Sequence, residues 1–244
     1  MIGLNVNLNR IFRRDGRTLI VAMDHGVVFG AMPGLIKPCE TIEKVLNGGA
    51  DAIMTTLGVI KSCCKTFDRL GIIWSVPPNP ELVEQAVKMG VNAVKLTYFI
   101  SVEEKSKLET ILPVASACNS WGIPLLVEVV PVKDGKPIDD LESVKLLVRI
   151  AVEHGAHFIK TIYAEPFKEV VEVAGVPVVI LGGKPRDLRG VFEMVKESIE
   201  AGGSGVAFGR NIWQSENPEA VTKALSRLIH EDISVEEALK IAKG

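Results

Sequence analysis

The sequence lacks the long apolar segments that direct a chain into or across a membrane. No apolar run approaches the ~20 residues that span a bilayer. Residues 1–17 have no apolar core of the kind found in secretory signals, and they carry Arg10, Arg13, Arg14 and Arg17 instead. We therefore expect a cytoplasmic protein without a membrane partner.

Cysteine and net charge are also scarce. The four cysteines, Cys39, Cys63, Cys64 and Cys118, include one adjacent pair and no C-x-x-C spacing. This pattern predicts neither a zinc site nor a disulfide framework, and it fits a reducing compartment. The formal net charge of -2 argues against nucleic acid as the main partner. The 47% of hydrophobic residues among 244 suffices for one large core or two small ones.

One sequence unit recurs along the chain, and it predicts a helix followed by a strand. The unit is an amphipathic stretch, a glycine, one to three small residues and an apolar run, as at 49–53, 90–94 and 155–159. Glycine after a helix readily adopts the left-handed conformation that closes the last turn. The apolar runs predict eight strands, near residues 18–24, 51–57, 71–76, 92–98, 124–130, 157–162, 177–181 and 205–208.

Strict alternation of strands and helices is typical of a parallel sheet. Eight strands in this length favour a closed (β/α)₈ TIM barrel, and no G-x-G-x-x-G follows the first strand. We predict an α/β fold with a single domain over residues 1–244. In this prediction, residues 1–17 cap or extend the bottom of the barrel, and residues 233–242 form an added C-terminal helix.

Lys160 lies within an apolar stretch, residues 156–163, that predicts a fully buried strand. An unpaired ammonium in such a place tends to lose its proton, and a neutral amine is a nucleophile. Three other predicted strands carry a charged residue at mid-length or near the carboxyl end: Asp24, Lys95 and Glu128. Active sites of barrels lie at the carboxyl ends of the strands, so these four side chains could converge there. Lys95 would then help to lower the pKa of Lys160.

A purely structural interpretation competes with this one. The four residues could form a buried salt-bridge network without a chemical role, and for Lys95 and Glu128 both interpretations stay open. For Lys160, the two glycine-containing turns that follow its strand favour the nucleophile.

Those two turns, Gly182–Gly183 and Gly209–Arg210, come after the seventh and eighth predicted strands. Barrels commonly bind phosphate there, although glycines are also ordinary turn residues. Backbone N–H groups of Gly183, Gly209 and Arg210 would bind phosphate oxygens, and the guanidinium would add charge-assisted bonds. His25, beside Asp24, would border the site. Together these features predict Schiff-base chemistry on a phosphorylated carbonyl compound.

Five segments carry a family resemblance. They are Asn-Arg-Ile-Phe at 9–12, Ala-Met-Asp-His-Gly-Val at 22–27, Ile-Lys-Thr-Ile-Tyr at 159–163, Leu-Gly-Gly-Lys at 181–184 and Gly-Arg-Asn-Ile-Trp-Gln at 209–214. They resemble the archaeal-type class I fructose-bisphosphate aldolases of the deoxyribose-phosphate aldolase-like superfamily. This family includes aminodideoxyheptulosonate synthases and the autoinducer-2 aldolase or thiolase. The resemblance implies a barrel, a Schiff-base lysine at Lys160, no metal, and a homo-oligomer, often a decamer in the family.

The chain departs from the family at the end of the fifth strand. The fructose-bisphosphate and heptulosonate enzymes have an acid/base tyrosine there, in Tyr-Pro-Arg-Gly, whereas this chain has Val-Pro-Val-Lys at 130–133. Its two tyrosines, Tyr98 and Tyr163, are less well placed by strand alternation, although Tyr163 belongs to a shared Lys-Thr-x-Tyr segment. Glu128 is therefore the expected proton carrier, with a pKa raised by an apolar pocket. The autoinducer-2 enzyme also lacks this tyrosine, and its motifs are closer to those here.

The sequence thus predicts a metal-independent class I aldolase that needs no cofactor and acts on a phosphorylated ketose such as fructose 1,6-bisphosphate. One alternative is acyl transfer from a phosphorylated diketone to coenzyme A, which would use the same lysine. Another is a non-catalytic barrel that binds a sugar phosphate, which the missing tyrosine suggests.

Overall fold

Eight parallel strands close into a barrel in the computed structural model, which describes residues 2–67, 69–183 and 187–244. The strands are β1 Thr18–Ala22, β2 Ala52–Thr55, β3 Gly71–Ser75, β4 Ala93–Ile100, β5 Leu125–Lys133, β6 Phe158–Thr161, β7 Val178–Leu181 and β8 Gly205–Phe208. Neighbours in sequence pair with each other, and β8 pairs with β1 to close the ring. The predicted (β/α)₈ barrel is therefore confirmed, with all eight predicted strands in place.

At least one helix lies in every connection between consecutive strands. The helices in the described residues are α1 Ile2–Ile11, α2 Gly26–Phe29, α3 Pro38–Asn47, α4 Leu57–Ser62, α5 Glu81–Lys88, α6 Ile111–Trp121, α7 Leu141–Glu153, α8 Phe167–Ala174, α9 Leu188–Glu200, α10 Arg210–Trp213, α11 Pro218–His230 and α12 Val235–Ala242. A 3-10 helix, Val102–Thr110, precedes α6. Within these residues, no helix is long and apolar enough to cross a membrane.

Strand β5 extends beyond its predicted end at residue 130 and turns back on itself. Its last residues pair in antiparallel fashion with the two-residue strand Lys136–Pro137. Asp134 and Gly135, both with positive φ, make the tight turn between them. This short hairpin was not predicted.

The interior of the barrel is an apolar floor, by which we mean the buried side chains that point inward from the strands below the charged residues. It consists of Ile20, Ala22, Ala52, Met54, Ile73, Ala93, Leu126, Phe158, Val179 and Ala207. Helix α1 seals this floor at the amino ends of the strands. Ile11 is fully buried there, and Phe12 packs edge-on against Phe158 with ring centroids 5.4 Å apart. Water is thus excluded from below the site.

The prediction that the cysteines form no disulfide is wrong. Cys39, at the start of α3, is bonded to Cys63, just after α4, with Cα atoms 5.2 Å apart. The two cysteines are 24 residues apart in sequence, so no short spacing motif marks them. They meet because β2 returns the chain and places α3 and α4 side by side. Cys64 is exposed and free, whereas the free Cys118 is buried.

Counting thiols tests this pairing. In guanidinium chloride without reductant we expect two reactive thiols, Cys64 and Cys118, and four after reduction. In the folded protein only Cys64 should react, because burial raises the pKa of Cys118 to about 12. The control variant Cys39→Ser should show three thiols in denaturant before reduction. Four reactive thiols in the unreduced, denatured wild type would contradict the disulfide.

Candidate active site

Lys160 points into the barrel from β6, directly above the apolar floor. It alternates with Phe158 of the floor, so the two share the inward face, and its side chain is only 6% exposed. Glu128 on β5 is its register partner on the neighbouring strand. The Lys160 Nζ lies 2.6 Å from Glu128 Oε1. The lysine is therefore buried as expected, but it is paired with a carboxylate.

Lys95 on β4 connects this pair to β1. Its Nζ lies 2.5 Å from Glu128 Oε2 and 2.8 Å from Asp24 Oδ2. The four residues therefore form one continuous chain, Asp24–Lys95–Glu128–Lys160, which we call the charge network. The structure brings together all four side chains proposed from the sequence, and their two positive and two negative charges balance.

The two lysines of the charge network have pKa values shifted in opposite directions. Burial lowers the pKa of Lys160, and the nearby Lys95 ammonium lowers it further, while Glu128 only partly offsets this. Burial also acts to lower the pKa of Lys95, but its two carboxylate partners, Glu128 and Asp24, raise it above the usual value. Lys160 is therefore the lysine that gives up a proton more readily, as a nucleophile requires.

The expected rise in the pKa of Glu128 is not found. Burial does act to raise this pKa, but the ammonium groups of Lys160 and Lys95 outweigh it and hold the pKa below its ordinary value. The pKa of Asp24 is lowered in the same way: burial raises it, and Lys95 and Lys160 more than reverse the effect. Both acids are thus ionised in the resting network. Glu128 can act as an acid only after it has taken up a proton.

Ser75 also belongs to this site, and the sequence did not point to it. Its hydroxyl donates a hydrogen bond to Asp24 Oδ2 at 2.6 Å. Ser75 is the last residue of β3 and the register partner of Lys95 on β4. Strand register therefore places it here, and a serine at the end of a strand carries no recognisable motif.

The two glycine-containing turns meet beside the charge network. The Arg210 Nη2 donates to the Gly183 carbonyl at 3.1 Å, and Asn211 Nδ2 donates to the Gly182 carbonyl at 2.8 Å. Asn211, which sequence reasoning did not single out, thus helps to hold the β7 turn against the β8 turn. Lys184, part of the first turn's motif, lies outside the described residues.

These turns have the features of an anion site. Gly183 has a φ of +63°, and a Cβ on Gly209 would lie 2.7 Å from the His25 ring, so both positions favour glycine. The Arg210 Nε is buried and has no hydrogen-bond partner among the described residues. A phosphate oxygen would satisfy such a donor.

The structure separates the two remaining candidates. His25 borders the charge network, with Nδ1 3.7 Å from Asp24 Oδ1, and burial lowers its pKa, which favours the neutral ring. Tyr163 instead donates to Glu197 on α9 at 3.3 Å. Burial and Glu197 raise the pKa of Tyr163 to about 12. Tyr163 is therefore not brought to the charge network, and β5 carries the buried Val130 two residues after Glu128.

The chain is similar to known proteins in family, sequence and fold. Residues 18–215 match the DeoC/LacD family of aldolases. The chain is 32% identical to 2-amino-3,7-dideoxy-D-threo-hept-6-ulosonate synthase of Halobacterium salinarum, over 97% of this chain and 95% of the relative. It is also 32% identical to an uncharacterised aldolase of Saccharolobus solfataricus, over the full length of both.

Solved structures agree in fold along nearly the whole chain. A Schiff base forming fructose-1,6-bisphosphate aldolase superposes with a TM-score of 0.81 at 27% identity, covering 93% of this chain and 100% of the other. A second structure is an archaeal fructose-1,6-bisphosphate aldolase whose catalytic lysine is covalently bound to a carbinolamine intermediate. It superposes with a TM-score of 0.80 at 26% identity, covering 93% of this chain and 99% of the other.

Replacing Asp24 tests the charge network through stability. Asp24→Asn leaves the buried ammonium groups without a full set of counter-charges. We therefore expect the free energy of unfolding to fall by about 3–5 kcal/mol at neutral pH. The folded-state pKa of Asp24 lies below its unfolded value, so its carboxylate stabilises the fold above that value and less as pH falls. The difference in the free energy of unfolding between wild type and variant should therefore become smaller below about pH 4.

Urea unfolding at a series of pH values measures this difference. Asp232→Asn is the matched control, because Asp232 pairs with Lys196 on the surface with its side chain 74% exposed. It should change stability little at any pH. If the difference in the free energy of unfolding between wild type and Asp24→Asn stayed constant from neutral to acid pH, the ionisation of Asp24 would be contradicted.

Proposed function

The chain belongs to the DeoC/LacD family of aldolases, and from this membership we propose that it is a class I aldolase acting on a phosphorylated ketose through a Schiff base on Lys160. The observation that carries the proposal is the buried contact of 2.6 Å between the Lys160 amine and Glu128. A buried amine with a lowered pKa and a carboxylate that can accept its proton is the arrangement that a nucleophilic lysine needs.

The first chemical step would be formation of the iminium ion. The Lys160 ammonium passes a proton to Glu128, and the neutral amine attacks the ketone carbon. One proton then moves from the nitrogen to the former ketone oxygen, which gives a neutral carbinolamine. Glu128 returns its proton to the carbinolamine oxygen, which leaves as water while the nitrogen lone pair forms the C=N bond. The step begins with an ammonium and a carboxylate and ends with an iminium and a carboxylate, so protons and charge balance.

The second step would break the bond between the carbon next to the iminium carbon and the hydroxyl-bearing carbon beyond it. Ionised Glu128 removes the proton of the hydroxyl on the departing carbon, and that carbon leaves as an aldehyde. The electrons of the broken bond form an enamine, with the iminium nitrogen as electron sink. Protonation of the enamine by Glu128 and hydrolysis of the iminium then release the ketone product and restore Lys160. The reverse sequence forms the bond.

The phosphate of the substrate would bind at the turns after β7 and β8. Lys160 lies on β6, next to β7, so a ketone carbon at its Nζ has these turns on one side. The donors are the backbone N–H groups of Gly183, Gly209 and Arg210 together with the guanidinium of Arg210. The buried Nε of Arg210, which has no hydrogen-bond partner in the described part of the chain, supports this assignment.

Fructose 1,6-bisphosphate is the first substrate to test, since two of the structural relatives are fructose-1,6-bisphosphate aldolases. A relative in sequence is an aminodideoxyheptulosonate synthase, so related ketose phosphates belong in the same panel. The proposed reaction uses neither a metal nor a cofactor. The cytoplasmic location and the homo-oligomer stay predictions.

Borohydride trapping tests the Schiff base directly. With dihydroxyacetone phosphate or fructose 1,6-bisphosphate, we expect a reduced adduct on Lys160, located by peptide mass mapping. Lys160→Met should form no adduct and lose activity by at least ~10³-fold while keeping the wild-type circular dichroism spectrum.

Lys145→Met is the matched control. Lys145 is paired with Glu142 and Glu169, and its hydrogen bonds to Glu169 and Glu142 raise its pKa, so it stays an ammonium and should not be trapped. An adduct on Lys95 in place of Lys160 would overturn the assignment of the nucleophile. No adduct with any ketose phosphate in folded protein would favour a barrel that binds sugar phosphates without catalysis.

A further inference from the structure

We propose that Ser75 is a positioning residue, which fixes the Asp24 carboxylate and through it the protonation of the charge network. The inference rests on the proposed function, because it concerns the same lysine chemistry. Ser75 touches neither Lys160 nor Glu128 within hydrogen-bonding distance, and its hydroxyl donates to Asp24 Oδ2 at 2.6 Å. Any effect on the reaction therefore passes through Asp24.

The geometry gives the Asp24 carboxylate one preferred orientation. Two donors, the Ser75 hydroxyl at 2.6 Å and the Lys95 ammonium at 2.8 Å, converge on the same oxygen, Oδ2. The other oxygen, Oδ1, has His25 Nδ1 as a neighbour at 3.7 Å, which is too long for a hydrogen bond. With Lys95 alone, either carboxylate oxygen could accept the ammonium. The serine hydroxyl selects one of them.

This orientation matters because Lys95 is shared between two carboxylates. Asp24 holds one side of the Lys95 ammonium, and Glu128 Oε2 holds the other at 2.5 Å. If Asp24 turned away, the Lys95 proton would be drawn towards Glu128. Glu128 would then be a weaker acceptor for the proton of Lys160, and formation of the free amine would be less favourable.

Ser75 also helps to keep Asp24 ionised. A hydrogen bond to a carboxylate favours its charged form, and the Ser75 hydroxyl is one of the groups that lower the pKa of Asp24. Without it, Asp24 should become protonated at a higher pH. A serine that only satisfied its own hydroxyl would affect stability but would leave the pH dependence of turnover unchanged.

The test compares Ser75→Ala with Ser75→Thr in steady-state kinetics across pH, with fructose 1,6-bisphosphate or whichever ketose phosphate is trapped on Lys160. We expect Ser75→Ala to lower kcat about tenfold, the scale of one hydrogen bond to a charged group. KM should stay within about twofold, because the serine does not contact the substrate. The acid limb of the kcat profile should move to higher pH. Ser75→Thr keeps the hydroxyl and should restore both.

A second comparison shows whether Ser75 acts through Asp24. The residual kcat of Asp24→Asn is compared with that of the double variant Asp24→Asn/Ser75→Ala. The two values should differ by less than about twofold. An equal loss in both backgrounds would overturn the proposal. Dividing kcat by the folded fraction, measured by circular dichroism, covers the case in which Ser75→Ala lowers the amount of folded protein.

Thr161→Val is the matched control. Thr161 follows Lys160 on β6, and its buried hydroxyl donates outward to the Val129 carbonyl at 2.8 Å. Its removal should lower stability without moving the pH profile. Three outcomes can be distinguished. The absence of an adduct in the wild type overturns the Schiff base and this inference together. A wild-type adduct with an unshifted Ser75→Ala profile overturns the role of Ser75 alone, and a shifted profile supports it.

Discussion

The site depends on one carboxylate that is shared by two buried ammonium groups. Glu128 accepts Lys160 on one oxygen and Lys95 on the other, and its own side chain is 6% exposed. Two ammoniums so close together would repel each other without it, and a second acid, Asp24, is needed to balance the second lysine. Removing any one member leaves an uncompensated charge in a low-dielectric interior, which is far more costly than losing a surface ion pair.

The barrel supplies the burial that makes this arrangement chemically useful. The apolar floor and helix α1 exclude water from below, and the same desolvation is the main cause of the lowered pKa of Lys160. The two lysines have similar burial, yet Lys95 has two carboxylate partners and Lys160 has one. That difference in partners is enough to send their pKa values in opposite directions. Position within the network therefore distinguishes Lys160, the proposed nucleophile, from Lys95.

The sequence predicted those parts of the structure that follow from periodicity. Eight apolar runs between amphipathic stretches gave the barrel, and strand alternation placed the four charged side chains on its inner face at the carboxyl ends of the strands. What it could not give depends on which residues become neighbours across strands and helices. The bond between Cys39 and Cys63 follows from the packing of two helices, and the contact of Ser75 with Asp24 follows from strand register. The direction in which the pKa of Glu128 is shifted depends on how many lysines contact it, and no local sequence pattern reveals that number.

One carboxylate can serve every step of the proposed reaction because the charge of the pair never changes. Before attack the pair is an ammonium and a carboxylate, and after dehydration it is an iminium and a carboxylate. While the amine or enamine is neutral, Glu128 holds the proton and is neutral as well. No step separates a new charge from its partner, so the low dielectric that would penalise such a separation does not oppose the reaction. In the proposed mechanism, a barrel with Val130 in place of the tyrosine of the fructose-bisphosphate and heptulosonate enzymes could still move protons. Glu128 would be both the acid and the base, 2.6 Å from the nitrogen that needs both.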